Sequence, residues 1–272
     1  MISEANYLVT NYIAEFWNTI SNFAFLSIAA YGIKKNREEK LPFILVLCQM
    51  SIFLVGVGSF AFHATLLYEF QLLDELPMTY ATTLIVYVAF DQSKCQLRRT
   101  RSIYNYVMKI FLVINALVVT IVYLVYPNPV FHHTSFGMIT ILGITRMVYS
   151  IKKLKIKNLT EQKICHDLKL CGRMGFSVFL FAFMLWNIDN WLCDRLAKWK
   201  QVLGFPGSLL LELHAWWHIG TGIGSYLLIV TAQLLWLSDS MGLGAYHMKW
   251  AIGGIWPYIS KLEPDTKKEH TD

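Results

Sequence analysis

Long apolar runs separated by short polar connectors make up most of the chain. Seven runs are long enough to cross about 30 Å of hydrocarbon, which takes roughly 20 helical residues. Their limits are 15–33, 42–66, 72–90, 108–126, 134–151, 174–193 and 209–237. Connectors this short join antiparallel neighbours. The pattern therefore predicts an all-α integral membrane protein, a seven-transmembrane helix bundle. Residues 1–272 form a single membrane domain in this reading, and 238–272 are left as a tail. No internal repeat stands out.

Composition strengthens this reading. Hydrophobic residues make up 55% of the 272 positions and charged ones only 15%, with a mean hydropathy of +0.43. Soluble chains carry about 25% charged residues, and 15% cannot cover the surface of a soluble domain this large. The net charge of +6 would suggest a nucleic-acid partner in a soluble protein. In a membrane protein it records which loops stay in the cytoplasm, so no nucleic acid is expected. Segments 34–41, 92–109 and 152–173, with the C-terminal tail, hold 20 of the 24 Lys and Arg residues. The alternate connectors hold only Arg195, Lys198 and Lys200, and Arg146 falls within the fifth run. The N-terminus is accordingly expected on the lumenal side and the C-terminus in the cytoplasm. No basic stretch with a cleavage site precedes the first run, so no signal peptide is expected. The five cysteines show no CxxC spacing, which argues against a disulfide framework or a four-cysteine zinc site.

Ionisable side chains inside spans are costly and mark function by default. His63 lies about 22 residues into the second run, near its lumenal end at 1.5 Å per residue. Asp74 begins the third run at that level, and His214 and His218 enter the seventh from the same side. The i,i+4 spacing of His214 and His218 puts both imidazoles on one helix face, and His63 supplies a third ligand. Three neutral histidines with an open position suit catalytic zinc, which acidifies water to a pKa of about 7. Asp74 is placed to accept a proton, and Ser59, four residues before His63, to stabilise an oxyanion. The competing reading makes these histidines hydrogen-bonded packing residues. Glu75 points about 100° away from Asp74, and His132 and His133 fall in a connector. Asp189 pairs with a Lys or Arg, supports an imidazole, or packs at the interface and caps the helix end. Glu4, Asn6 and Glu15 offer oxygens of the kind calcium prefers, but dispersed ones. Gly220, Gly222 and Gly224 read as a close-packing face.

The stretches Gly58-Ser-Phe-Ala-Phe-His-Ala-Thr-Leu66, Gln71-Leu-Leu-Asp-Glu-Leu-Pro-Met78, Trp186-Asn-Ile-Asp-Asn190 and Leu213-His-Ala-Trp-Trp-His218 resemble the alkaline ceramidases, type 3 among them. The resemblance covers nearly the whole chain. It implies hydrolysis of ceramide, taken from the bilayer, to a sphingoid base and a fatty acid, in endoplasmic reticulum or Golgi membranes. It also implies a Zn2+ ion on His63, His214 and His218, with Asp74 and Ser59 as catalytic residues. No obligate protein partner is implied. A lumenal Ca2+ site is implied at Glu4, Asn6 and Glu15. Family members start with an Asp-Trp-Cys-Glu-x-Asn-Tyr stretch, and Met1 and Ile2 stand where the Asp and Trp would be. One calcium carboxylate is therefore missing. The alternative reading is a seven-pass lipid or hormone receptor of the adiponectin-receptor type, which shares the three-histidine zinc arrangement.

Overall fold

The computed structural model describes residues 3–91, 99–251, 253–254 and 256–262. Met1, Ile2, Lys94, Cys95, Arg98, Lys267, Lys268 and His270 lie outside the described residues. The chain folds into α1 (Phe16–Ser21), α2 (Phe23–Glu38), α3 (Phe43–Thr65), α4 (Tyr68–Phe90) and α5 (Arg99–Val125). These are followed by α6 (Pro129–Lys152), α7 (Leu159–Trp191), α8 (Cys193–Leu203), a 3-10 turn at Gly207–Leu211, and α9 (Leu213–Met241). Strands β1 (Tyr246–Ala251) and β2 (Trp256–Lys261) close the described chain as an antiparallel hairpin. Among the described residues, five helices are long and apolar enough to cross a membrane: α3, the Tyr106–Val125 part of α5, α6, α7 and α9.

Helix α9 runs through the middle, with every residue from Tyr226 to Ser238 buried. A helix apolar on all sides belongs in the interior. Helix α7 lies along it because small residues meet at the contact: a Cβ at Gly220 would stand 2.7 Å from that of Ala182. The glycine face expected in the last run is thus used for packing. Helix α5 stands at the outside, with Tyr106, Val113, Leu117 and Leu124 at least half exposed, a surface suited to hydrocarbon. Helix α3 packs on both α2 and α4.

The α3–α4 contact depends on a proline and a glycine. Pro77 sits inside α4 and has no N–H to bond the Leu73 carbonyl four residues back. That carbonyl instead lies against Gly58 of α3, where an added Cβ would collide with its oxygen. Gly58→Ala is therefore expected to cost at least the ~1–3 kcal/mol of an overpacked core, because backbone rather than a movable side chain blocks the way. A thermal melt in detergent checks this, and an unchanged midpoint would mean the two helices separate freely here.

Several elements differ from the sequence expectations. The first run is broken at Asn22 into α1 and α2, and α2 continues to Glu38. Helix α7 starts at Leu159, so much of the basic segment expected as a loop is helical, with Ile164, Leu168 and Cys171 buried on its inner face. The bundle is not purely helical, and 238–272 is not simply a tail. Helix α9 extends to Met241, and the hairpin docks with Met248 and Ile259 in the core and the Pro257 carbonyl accepting from Tyr226 Oη at 2.6 Å. His132 and His133 lie in the first two turns of α6 rather than in a connector.

Candidate metal centre

Helix α3 delivers His63 and α9 delivers His214 and His218 to one end of the bundle, called here the histidine end. One nitrogen from each ring lies within 4.8 Å of the others. Ring centroids are 4.7–5.0 Å apart, and all three residues are buried. Among the described residues this is the group of histidine, cysteine and acidic side chains placed to hold a metal ion.

The outer nitrogens of two rings are fixed by the N-terminal region. Glu15 Oε2 lies 2.7 Å from His63 Nδ1, and the Glu15 amide donates to the His63 carbonyl at 3.0 Å. Main chain and side chain of one residue thus hold His63, and they satisfy a carbonyl that the end of α3 leaves open. His218 Nδ1 lies 2.8 Å from Ser21 Oγ and 3.1 Å from the Asn18 carbonyl. That carbonyl is available because the Asn22 amide bonds to Thr19 instead, at 3.2 Å, where the helix breaks. Carbonyls and carboxylates accept, so both Nδ1 atoms carry the proton and both Nε2 atoms turn a lone pair inward. His63 Nε2 and His214 Nδ1 are buried without a hydrogen-bond partner. Orphaned imidazole nitrogens are costly in a protein interior and are the atoms a metal would take up. An all-nitrogen set suits zinc better than calcium or magnesium.

Asp74 and Ser59 lie beside the histidines, on the wall of one cavity. Ser59 is buried one helical turn before His63, and its hydroxyl interacts with the Asp74 carboxyl, which His63 also neighbours. All three line a cavity of about 640 Å³ that extends into the bundle between α3, α4, α6, α7 and α9. Away from the histidine end its walls are mostly apolar, with Ile52, Val55, Ile144 and Met147 among them. Trp186 and Trp217 face this cavity, whereas Trp191 is 81% exposed. The tryptophans therefore divide between cavity wall and surface.

Glu4 and Glu15 are each engaged by hydrogen bonds of their own. Glu4 reaches across to the start of α1 and accepts from the Trp17 and Asn18 amides at 2.8 and 2.9 Å, which caps the helix. Glu15 is engaged by His63 and by Asn18 Nδ2 at 3.0 Å, and Asn6 is exposed. Asp189 accepts from the Ser3 amide at 3.1 Å and from its hydroxyl, so it anchors the N-terminal segment rather than an imidazole.

Burial pushes the Glu4 carboxyl up to about 7 against the two amides that lower it. The folded chain thus holds this proton more tightly than the unfolded one. The stability it contributes is complete below the ordinary value of 4.5 and is lost as pH rises through about 7. Thermal melts are expected to fall between about pH 5 and pH 8, and Glu4→Gln is expected to flatten that slope. An identical slope in the variant would assign the pH dependence elsewhere.

The residues that sequence reasoning missed are Ser21, Glu75, His132 and His133. His133 lines the same cavity as the cluster, and both histidines were misplaced because α6 begins five residues earlier than expected. Ser21 has no sequence signal beyond standing in the broken first run.

Residues 3–260 match the family profile described as Ceramidase. The chain is 35% identical over 264 residues to alkaline ceramidase 3 of Mus musculus, covering 97% of this chain and 92% of that one. It is 34% identical over 239 residues to an alkaline ceramidase of Saccharomyces cerevisiae, covering 85% and 74%. A plant relative, the alkaline ceramidase of Arabidopsis thaliana, is 24% identical over 264 residues. The matched stretch spans the bundle from the N-terminal segment to the hairpin and contains all three clustered histidines. The chain is an enzyme of the ceramidase family.

Proposed function

We propose that this chain hydrolyses the amide of ceramide within the membrane, giving a sphingoid base and a free fatty acid, with zinc held by His63, His214 and His218. The observation that carries the reading is the buried set of three inward-facing imidazoles on the wall of a largely apolar cavity. A zinc ion there supplies positive charge that polarises a carbonyl and makes water a nucleophile near neutral pH. Asp74 accepts a proton from the attacking water and returns it to the amide nitrogen as the C–N bond breaks. Water adds across that bond, so the nitrogen leaves as an amine and the acyl carbon as a carboxylic acid. Ser59 Oγ donates to the carbonyl oxygen as negative charge grows on it. The apolar length of the cavity takes lipid tail from the bilayer and keeps bulk water away from the reacting bond.

Glu15 acts through His63. A carboxylate on the outer nitrogen of a metal-binding histidine orients the ring and raises its basicity. Glu15→Ala is expected to weaken metal affinity or turnover by about 10- to 100-fold, with Glu15→Gln between it and the wild type. Zinc titration of the purified variants checks this, and unaltered affinity would leave Glu15 a structural residue only. No step is assigned to a calcium ion at Glu4, Asn6 and Glu15.

The chain crosses the membrane seven times in this reading, with α1 and α2 sharing the first crossing and α3, α4, α5, α6, α7 and α9 making the others. Helix α8, with 11 residues, spans only about 16 Å and is too short. In this reading the histidine end faces the lumen of an endoplasmic reticulum or Golgi membrane, and the basic connectors support that sidedness.

The test is release of sphingoid base from a panel of ceramides by purified protein, with and without a chelator. Release that stops with the chelator and returns with zinc is expected. Release undiminished after metal removal would overturn the zinc mechanism. No release from any ceramide by zinc-loaded protein would favour a receptor of the adiponectin-receptor type.

A further inference from the structure

Beside the histidine cluster the cavity has a second polar wall, made by Glu75 of α4 and His133 of α6. It is built from behind. Gln71 Nε2 donates to Glu75 Oε1 at 3.0 Å, and the Tyr123 hydroxyl of α5 donates to Oε2. His132, fully buried, has Nε2 3.0 Å from Thr79 Oγ1. Its ring stands 5.2 Å from the Tyr123 ring and 5.6 Å from that of His133. Glu75 neighbours both imidazoles. His133 meets Trp186, another cavity residue, edge-on at 5.1 Å. Three helices thus hold a carboxylate and an imidazole at the wall of a largely apolar cavity.

Polar groups facing such a cavity are costly unless something polar meets them. Glu75 uses two of the roughly four acceptor positions of a carboxylate, and no hydrogen bond ties the His133 ring to the described residues. The substrate assigned above is an acylated amino alcohol, with hydroxyls on both carbons next to the one that bears the amide. With the amide at the cluster, a hydroxyl lies within a few bonds of the neighbouring wall. Asp74 and Glu75 are consecutive, so their Cα atoms are about 3.8 Å apart while their side chains diverge by about 100°. One carboxylate can then serve the amide and the next the hydroxyl of a single ligand.

We infer that Glu75 and His133 form the subsite for a sphingoid-base hydroxyl, Glu75 accepting its proton and His133 donating to its oxygen. This rests on the ceramide-hydrolysing reading.

The test compares ceramide with two analogues, one lacking the C1 hydroxyl and one lacking the C3 hydroxyl. Substrates are presented to the zinc-loaded wild type, Glu75→Gln and His133→Phe. The wild type is expected to prefer ceramide over at least one analogue by about 10- to 100-fold in kcat/KM, as for a hydrogen bond to a charged group. In the variants that ratio is expected to fall towards one, mainly through KM on ceramide, with zinc content unchanged. The analogue whose discrimination collapses identifies the hydroxyl. If Glu75→Gln fails to fold, His133→Phe at the half-buried wall carries the comparison. A wild type indifferent to both hydroxyls, or folded variants that keep the wild-type ratio, would overturn the subsite alone. A wild type that hydrolyses none of the three would overturn the reading of the function, and the subsite with it.

Discussion

Replacement of His218 by alanine is expected to abolish both metal retention and amide hydrolysis while the bundle stays folded. Its ring completes a set whose nitrogens lie within 4.8 Å of one another, and His63 and His214 alone leave zinc short of the three protein ligands typical of a catalytic site. Turnover should fall by more than about 100-fold, beyond the range in which loss of a merely supporting partner is felt. The structural cost should be modest, about 1–3 kcal/mol for the polar groups left behind. Ser21 Oγ still has the Asn18 carbonyl 2.8 Å away, and that carbonyl still accepts from Asn22 Nδ2 at 2.9 Å. Metal analysis of purified protein, beside a thermal melt, separates loss of zinc from loss of fold. Zinc at wild-type stoichiometry in the folded variant would remove His218 from the ligand set, and the proposed chemistry would lose its centre.

Asp74→Asn is expected to do the opposite on one axis, keeping the metal while turnover drops by about 10²- to 10⁴-fold, the usual worth of a positioned general acid–base group. The amide is nearly the same size as the carboxyl and still meets Ser59 and His63 at the cavity wall. What changes is proton affinity, since an amide cannot take a proton from water at any working pH. The loss should therefore lie in kcat, with KM little changed. Single-turnover kinetics on zinc-loaded protein would show it. Near-normal turnover would assign the proton to another group, and Glu75, the adjacent cavity carboxylate, would be next to examine.

The bundle and the cluster were legible for different reasons. Long apolar runs can only be buried or lipid-facing, so hydropathy locates the apolar stretch of a helix, although α5 and α7 start well before their runs. Helix α3 begins and ends within a residue of its expected limits. A helix also has a fixed rise, so counting residues from a span end gives a depth. That placed His63, Asp74, His214 and His218 at one level, and the structure brings the three imidazoles together. The counting fails where an element boundary is off. His132 and His133 were set in a connector because apolar content alone does not reveal that α6 starts at Pro129, behind the Asn128 side chain that accepts from the Val130 and Phe131 amides. The hairpin was missed for a related reason: six-residue strands with half-buried faces give a weak signal next to a long apolar helix.

What the amino-acid order determined by itself is depth, period and which residues a membrane would not tolerate without a purpose. Those are properties of one helix against its solvent. Which side chains meet across helices is set by packing, and only the tertiary structure decided it. The broken turn at Asn22 turns a backbone carbonyl towards His218. The carbonyl released by Pro77 rests on the bare Gly58, and Glu15 closes on His63 across 48 positions of chain. Each contact joins segments whose local patterns carry no information about the other.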